Sequence, residues 1–251
     1  SADEPLHNGV LLTHNTNKLQ QNVTHITLTV DSGRVVEKHA EYIDVKSFQS
    51  KNAIVDVMVR HFSNNPDYQR VLAKATTPLE TKREIGSLFC DALMSETDTD
   101  FAIANYNGVR LSHSPAGDIT VGNVLELDPF GNTAAIINMK GSQILEFLQK
   151  YSRMETYRFP HLGGFMAELT LDKENSTVIK DIKLTTMDGK CLNLKKTYRV
   201  VTNSYIAAFC RESLGITDME TVNRYTADML IHFLTQRESV DYQGVNRITF
   251  K

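Results

Sequence analysis

Phe101-Ala102-Ile103-Ala104-Asn105-Tyr106-Asn107-Gly108-Val109-Arg110 passes from four apolar residues directly into a polar loop. A run this short and this apolar reads as a buried strand, with the loop at its carboxyl end. Just before it, Thr81-Lys82-Arg83-Glu84 has capping-box spacing, Thr81 accepting from the Glu84 amide while Glu84 reaches back. Ile85, Leu88, Phe89 and Ala92 then recur at helical intervals, so a helix precedes the strand. Beyond the loop, Ala134 to Met139 reads as another strand, and Ile144, Phe147, Leu148 and Tyr151 repeat the helical stripe. Further strands are predicted at 165–171, 178–185, 197–202 and 245–250, the middle two joined by the Asp188-Gly189 turn. Helices are predicted at 204–214 and 224–236. Helices and strands interleave without a regular βαβ period, and several strand pairs have hairpin spacing. The fold class is therefore α+β, an irregular α/β with mixed sheets and interleaved helices.

Towards the N-terminus the pattern changes. Ile26, Leu28 and Val30 alternate with His25, Thr27 and Thr29, Asp31-Ser32-Gly33 supplies a turn, and Val35-Val36 resumes the apolar series. Residues 24 to about 45 therefore read as a β-hairpin. Val55, Met58, Val59 and Phe62 form one face of a helix that Ser63-Asn64-Asn65-Pro66 ends.

The 251 residues are enough for a full hydrophobic core, and 41% hydrophobic with 23% charged residues excludes a disordered chain. With 27 basic and 30 acidic residues the net charge is −3, which gives no basic excess for binding a nucleic-acid polymer. No run approaches the ~20 apolar residues of a membrane-spanning helix. The N-terminal Ser1-Ala2-Asp3-Glu4-Pro5 lacks the basic and apolar regions of a signal peptide. Cys90, Cys191 and Cys210 are too scattered for a disulfide framework and read as buried or half-buried thiols, and no two histidines have zinc-ligand spacing.

No G-x-S-x-G, P-loop or H-E-x-x-H motif is present, so no catalytic residue and no metal ligand is assigned. Polar and aromatic residues instead concentrate in three loops at predicted strand ends, where ligand sites on α/β scaffolds lie. One is Asn105-Tyr106-Asn107-Gly108-Val109-Arg110, whose Arg has the planar fork suited to phosphate. The second is Asp128-Pro129-Phe130-Gly131-Asn132, and the third Thr202-Asn203-Ser204-Tyr205, where Asn203 or Ser204 is also placed to cap the next helix.

The order of these stretches resembles the C-terminal, substrate-binding domain of the 5′-nucleotidase and UDP-sugar hydrolase family. Gly86-Ser87-Leu88-Phe89-Cys90-Asp91-Ala92 is similar to that family's G-N-L-x-x-D-A helix, and Phe101 to Arg110 to its strand into N-G-G-G-[IV]-R. Gly117-Asp118-Ile119-Thr120, Pro129-Phe130-Gly131-Asn132 and Met139-Lys140-Gly141 resemble G-x-[IL]-T, P-F-[GEDN]-N and [LM]-[KT]-G. Val200 to Tyr205 resembles V-x-T-N-[DS]-[FY], and the match spans about 75 to 206.

The resemblance implies three parts: strands from the end of a metallophosphatase domain at 1–46, a linking helix region at 47–74, and the substrate-binding domain at 75–251. It implies a hydrolase of nucleotide catabolism, acting on a nucleotide or nucleotide-sugar, periplasmic or secreted. Two divalent metal ions are expected in a separate catalytic domain, whose histidine-bearing motifs do not occur here, and this chain alone is expected to be inactive. The base-stacking aromatics fall on Phe130 and Tyr205, and the loop's Asn, Gly and Arg fall on Asn105, Gly108 and Arg110. Two family glycines of that loop become Tyr106 and Asn107. Arg83 is the nearest counterpart of an upstream phosphate-binding Arg, and Arg211 stands where the family has a sugar-gripping Asp. That last replacement supports the alternative reading, a ligand-binding or assembly module outside any active hydrolase.

Overall fold

The computed structural model describes residues 6–7, 10–11, 13, 22–154, 158–176 and 178–251, in two compact units, Ser1–Ser63 and Asn64–Lys251. Much of the 1–46 segment before residue 22 lies outside the described residues.

In the first unit, β1 (Leu6–His7) pairs with β2 (Val10–Leu11), and β3 (Asn22–Asp31) pairs antiparallel with β4 (Arg34–Asp44). The expected turn is there, with Ser32 and Gly33 both at positive φ. Helix α1 (Ala53–Ser63) carries the apolar series read from the sequence, and its Ile54, Val55, Met58, Val59 and Phe62 side chains are exposed.

The second unit begins with the short α2 (Pro66–Gln69), capped by Asn65 with Pro66 in its first turn. Its centre is a five-stranded mixed sheet of β13 (Met219–Tyr225), β8 (Thr133–Lys140), β12 (Thr197–Asn203), β6 (Phe101–Ala104) and β9 (His161–Gly163), in that order. β12 runs parallel to β6, while the other neighbours are antiparallel. Alternation along β6 separates two cores. Ala102 and Ala104 join one with α3 (Lys82–Thr97), α4 (Val121–Leu127) and α7 (Thr226–Thr235). Phe101 and Ile103 join the other with α5 (Gly141–Met154) and α6 (Ser204–Leu214). Gly86 lets α3 lie close to the sheet, since a Cβ there would lie 2.0 Å from Nδ1 of His161 in β9.

Two smaller sheets flank this centre. β5 (Val71–Ala75) lies between β14 (Ser239–Val240) and β7 (Gly117–Thr120). β10 (Phe165–Leu171) lies between β11 (Ile179–Thr186) and β15 (Ile248–Phe250).

One expectation is corrected here. The Asp188-Gly189 turn forms, but it does not join β11 to β12 as a hairpin: β11 pairs with β10, and β12 enters the central sheet. The burial patterns give the reason. β11 alternates buried and accessible residues, whereas β12 is buried almost continuously from Val200 to Asn203, as a central strand must be. The sequence reading also omits α4, β5, β9, β13 and β14, all short or accessible on one side. Among the described residues no helix is long and apolar enough to cross a membrane.

Candidate functional site

Because β6 and β12 are parallel, their carboxyl ends open on the same side of the sheet. β8 is antiparallel to β12, with Ala134 opposite Asn203, so the chain enters β8 from that side too. The loops 105–110 and 128–132 and the β12–α6 junction at 203–205 therefore meet. Hydrogen bonds join them in series. Asn203 Nδ2 donates to Asn105 Oδ1 at 2.8 Å, and the Ser204 hydroxyl meets Asn132 Oδ1 at 3.0 Å. The Arg110 amide donates to the Leu127 carbonyl at 2.8 Å. Asn203 also caps α6 by accepting from the Ile206 amide at 3.0 Å, so one side chain starts the helix and holds the neighbouring loop.

Gly108 is required by this arrangement. A Cβ there would lie 2.4 Å from Asn105 Oδ1, the atom that accepts from Asn203. Gly108→Ala is expected to push Asn105 aside and to cost about 1 kcal/mol, the net value of one internal hydrogen bond. Urea denaturation of the two proteins measures this. An unchanged midpoint would mean that Asn105 yields without losing its partner.

The 128–132 loop is held from beneath. The buried Asp128 carboxylate accepts from the Thr226 hydroxyl and from the Phe130 amide, and the Thr226 amide donates to the Asn132 carbonyl at 2.9 Å. Burial pushes the Asp128 carboxyl upwards, and these hydrogen bonds partly offset it.

From this frame Phe130 and Tyr205 project outwards, 54% and 58% exposed. An exposed aromatic ring offers a flat apolar face on which a planar ligand can stack. Among the described residues the two rings are not in contact with one another. The Arg110 guanidinium lies 5.7 Å from the Phe130 ring centroid and is accessible.

The other two arginines are placed differently. Arg83 turns inward, its Nη1 donating to the carbonyls of Phe159 (2.7 Å) and Pro160 (3.1 Å). Burial pushes its guanidinium down to about 10, with Tyr106 acting in the opposite sense. Arg211 lies six residues beyond Tyr205 on α6, about 9 Å along the helix and on another face. Its guanidinium meets the Met219 sulfur at 3.2 Å. No contact among the described residues joins Arg83 or Arg211 to Phe130 or Tyr205.

A second layer lies behind the first loop. Tyr106 stacks on His161 with ring centroids 5.3 Å apart, and the Lys82 ammonium (4.6 Å) and Arg83 guanidinium (4.9 Å) lie over the Tyr106 ring. The sequence reading missed the parts played by Lys82, Tyr106 and His161. Lys82 is concealed in a capping box whose other members explain the motif fully. A cation lying over an aromatic 24 positions away in sequence has no periodic signature.

Among the described residues no three His, Cys, Asp or Glu side chains gather as a cation site. Cys90 and Cys210 are buried and Cys191 is exposed; burial pushes the Cys210 thiol up to about 12 and the Cys90 thiol higher still. Neither buried thiol has thiolate character near neutral pH.

The family profile described as "5′-nucleotidase, C-terminal domain" matches residues 61–211, which include all three loops. The chain belongs to this family. The motif resemblance read from the sequence is thereby established, as is the mixed fold. Among curated relatives, the trifunctional nucleotide phosphoesterase protein YfkN of Bacillus subtilis is 31% identical over 133 residues, covering 49% of this chain and 9% of its own. Cell wall protein Lmo0130 of Listeria monocytogenes is 28% identical over 233 residues, covering 84% of this chain and 28% of its own. The chain spans less than a third of the length of the curated relatives it matches. The structure of a 5′-nucleotidase precursor from Thermus thermophilus superposes with a TM-score of 0.67 at 23% identity, over 92% of this chain and 50% of that one. At that identity the superposition speaks for the fold.

Proposed function

We propose that this 5′-nucleotidase C-terminal domain is the substrate-recognition part of a phosphoric-ester hydrolase of nucleotide catabolism. A nucleotide base lies between Phe130 and Tyr205, and Arg110 contacts the phosphate. The observation that carries this reading is the pair of exposed rings, Phe130 on the 128–132 loop and Tyr205 on the first turn of α6, with that turn hydrogen-bonded to the loop and an accessible guanidinium beside Phe130. Stacking suits a base because every base offers a π-face, and Arg suits phosphate because it donates parallel charge-assisted hydrogen bonds. Asn105, Gly108 and Asn203 act by fixing the loops. Arg83 serves in the wall behind Tyr106, and Arg211 is left out of the cleft.

In the whole enzyme a separate metallophosphatase domain would hold two divalent ions that activate the attacking water. The periplasm or the cell exterior is the proposed location, supported by the name of the Listeria cell wall relative.

Calorimetric titration with adenosine and AMP tests the clamp. Phe130→Ala and Tyr205→Ala are each expected to weaken adenosine binding by about 1–3 kcal/mol, the value of one stacked base. Arg110→Met should weaken AMP and spare adenosine. Adenosine affinity unchanged in both alanine variants would remove the clamp. Tight nucleotide binding that never contributes to phosphoryl hydrolysis in the full-length protein would favour the ligand-binding module.

A further inference from the structure

Asn132 is bonded by two segments at once. The Ser204 hydroxyl meets its Oδ1 at 3.0 Å, and the Thr226 amide donates to its carbonyl at 2.9 Å. The chain neighbour of each is an exposed tyrosine, Tyr205 beside Ser204 and Tyr225 beside Thr226. Tyr225 ends β13 and pairs with Thr133, the first residue of β8, so it reaches the same end of the sheet as Phe130 and Tyr205. It is 55% exposed, close to the other two rings. It also occupies the N-cap of α7 without a side-chain cap hydrogen bond, so the start of that helix does not call for a tyrosine.

Local structure decides which face of the sheet Tyr225 takes. The register of β13 shifts between Val222 and Tyr225, an irregularity of the kind that re-aims a side chain. Before the shift, Val222 packs on the core shared by α3, α4 and α7. Within it, Arg224 Nη2 donates to Glu96 Oε2 at 2.9 Å, and Glu96, near the end of α3, also meets His232 Nδ1 at 2.9 Å. Arg224 is thereby held on the α3 face. Tyr225 lies opposite Thr133, which alternates with Ala135 and Ile137, and these two join the core under α5 and α6. Tyr225 therefore stands on the α6 face, where Tyr205 lies in the first turn of that helix. Arg110 approaches Phe130 from the other face, its amide donating to the carbonyl of Leu127, the last residue of α4.

We propose that Tyr225 is a specificity-determining residue for the base, a third ring that covers the part remote from the phosphate and so favours bicyclic purines over monocyclic pyrimidines. This rests on the nucleotide-recognition reading above. With the phosphate drawn to Arg110 on one face, the base extends towards the two tyrosines on the other. A pyrimidine is held by Phe130 and Tyr205 alone. The second ring of a purine carries further, to Tyr225, and adds covered apolar area and a further π-face. Phe130 and Tyr205 serve either base, because stacking alone tolerates every base.

The test is calorimetric titration of the purified chain with AMP and UMP, on the wild type and on Tyr225→Ala, Tyr225→Phe and Phe130→Ala. Tyr225→Ala is expected to weaken AMP about fivefold, the lower end of the effect of one stacked base, and to leave UMP within about twofold. Tyr225→Phe should keep the wild-type ratio of the two affinities, because the ring face remains. Phe130→Ala should weaken both nucleotides. A ratio unchanged in Tyr225→Ala, through no loss or through equal losses, while Phe130→Ala still weakens both, would overturn this inference and leave the clamp standing. A ratio that falls in Tyr225→Ala with no loss in Phe130→Ala would remove the clamp and support Tyr225 as a recognition residue. Failure of both nucleotides to bind the wild type would overturn the two readings together.

Discussion

Asp91→Ala is expected to cost the second compact unit about 3–5 kcal/mol, the penalty for leaving a buried charge without its partner. Arg247 is 9% exposed, and its Nη1 and Nη2 donate to the two Asp91 oxygens at 2.8 and 2.7 Å. Nη1 also donates to the Leu162 carbonyl at 2.9 Å, and the Tyr242 hydroxyl donates to Asp91 Oδ2 at 3.0 Å. Burial acts to lower the Arg247 pKa, but Asp91 more than offsets it and the net direction is upwards. Burial and the Asp91 charge both push the Tyr242 phenol up. One carboxylate thus fastens α3 to the chain just before β15. Truncating it strands a guanidinium among Leu162, Cys90 and Ile248. Thermal unfolding should show a midpoint lower by on the order of 10 °C for a unit of this size. The double variant Asp91→Ala, Arg247→Met should recover part of the loss, because it removes the stranded charge. A single-variant cost below about 1 kcal/mol would mean that solvent reaches Arg247 freely, as at a surface pair.

Asp91 also shows what the sequence made legible. It was readable as the acid of a helix motif, since Gly86 to Ala92 carries the spacing of that helix, and the capping box at Thr81 and Glu84 formed as expected. Its partner lies 156 positions away, and nothing local announces such a pairing. The same division holds at the candidate site. Asn105 and Phe130 sit in loops, and Tyr205 in the first turn of α6, at strand ends recognisable from the sequence, and these segments do converge. Convergence, however, depends on β6 and β12 being parallel neighbours, which strand patterns alone do not specify. The mistaken hairpin across Asp188-Gly189 arose from the same gap: the turn was readable, but the sheet that β12 joins was not. Arg83 and Arg211 could be selected by residue type, whereas the Phe159 carbonyl and the Met219 sulfur that engage them come from distant segments.

Acid should destabilise the second unit through His161 well before the carboxylates titrate. Its ring is 1% exposed, stacked on Tyr106 and packed so closely on Gly86 that a Cβ there would lie 2.0 Å from Nδ1. Neither ring nitrogen has a hydrogen-bond partner among the described residues. Burial, with Arg83 and Lys82 adding repulsion, holds the pKa well below the ordinary 6.5, while the Tyr106 backbone acts weakly the other way. The ring is therefore neutral in the fold and takes up a proton on unfolding below pH 6.5. Stability is complete above 6.5 and declines as pH falls, by about 1.4 kcal/mol per pH unit while the folded ring remains neutral. His161→Phe keeps a ring against Tyr106 and removes two unsatisfied nitrogens, so it should flatten this slope without loss at pH 8. Urea denaturation from pH 8 to 5 measures the difference. In the folded wild type the His161 ring resonances should stay at their neutral positions across this range. A His161 resonance titrating near 6.5, or equal pH slopes for the two proteins, would place the proton elsewhere and free Tyr106 from this constraint.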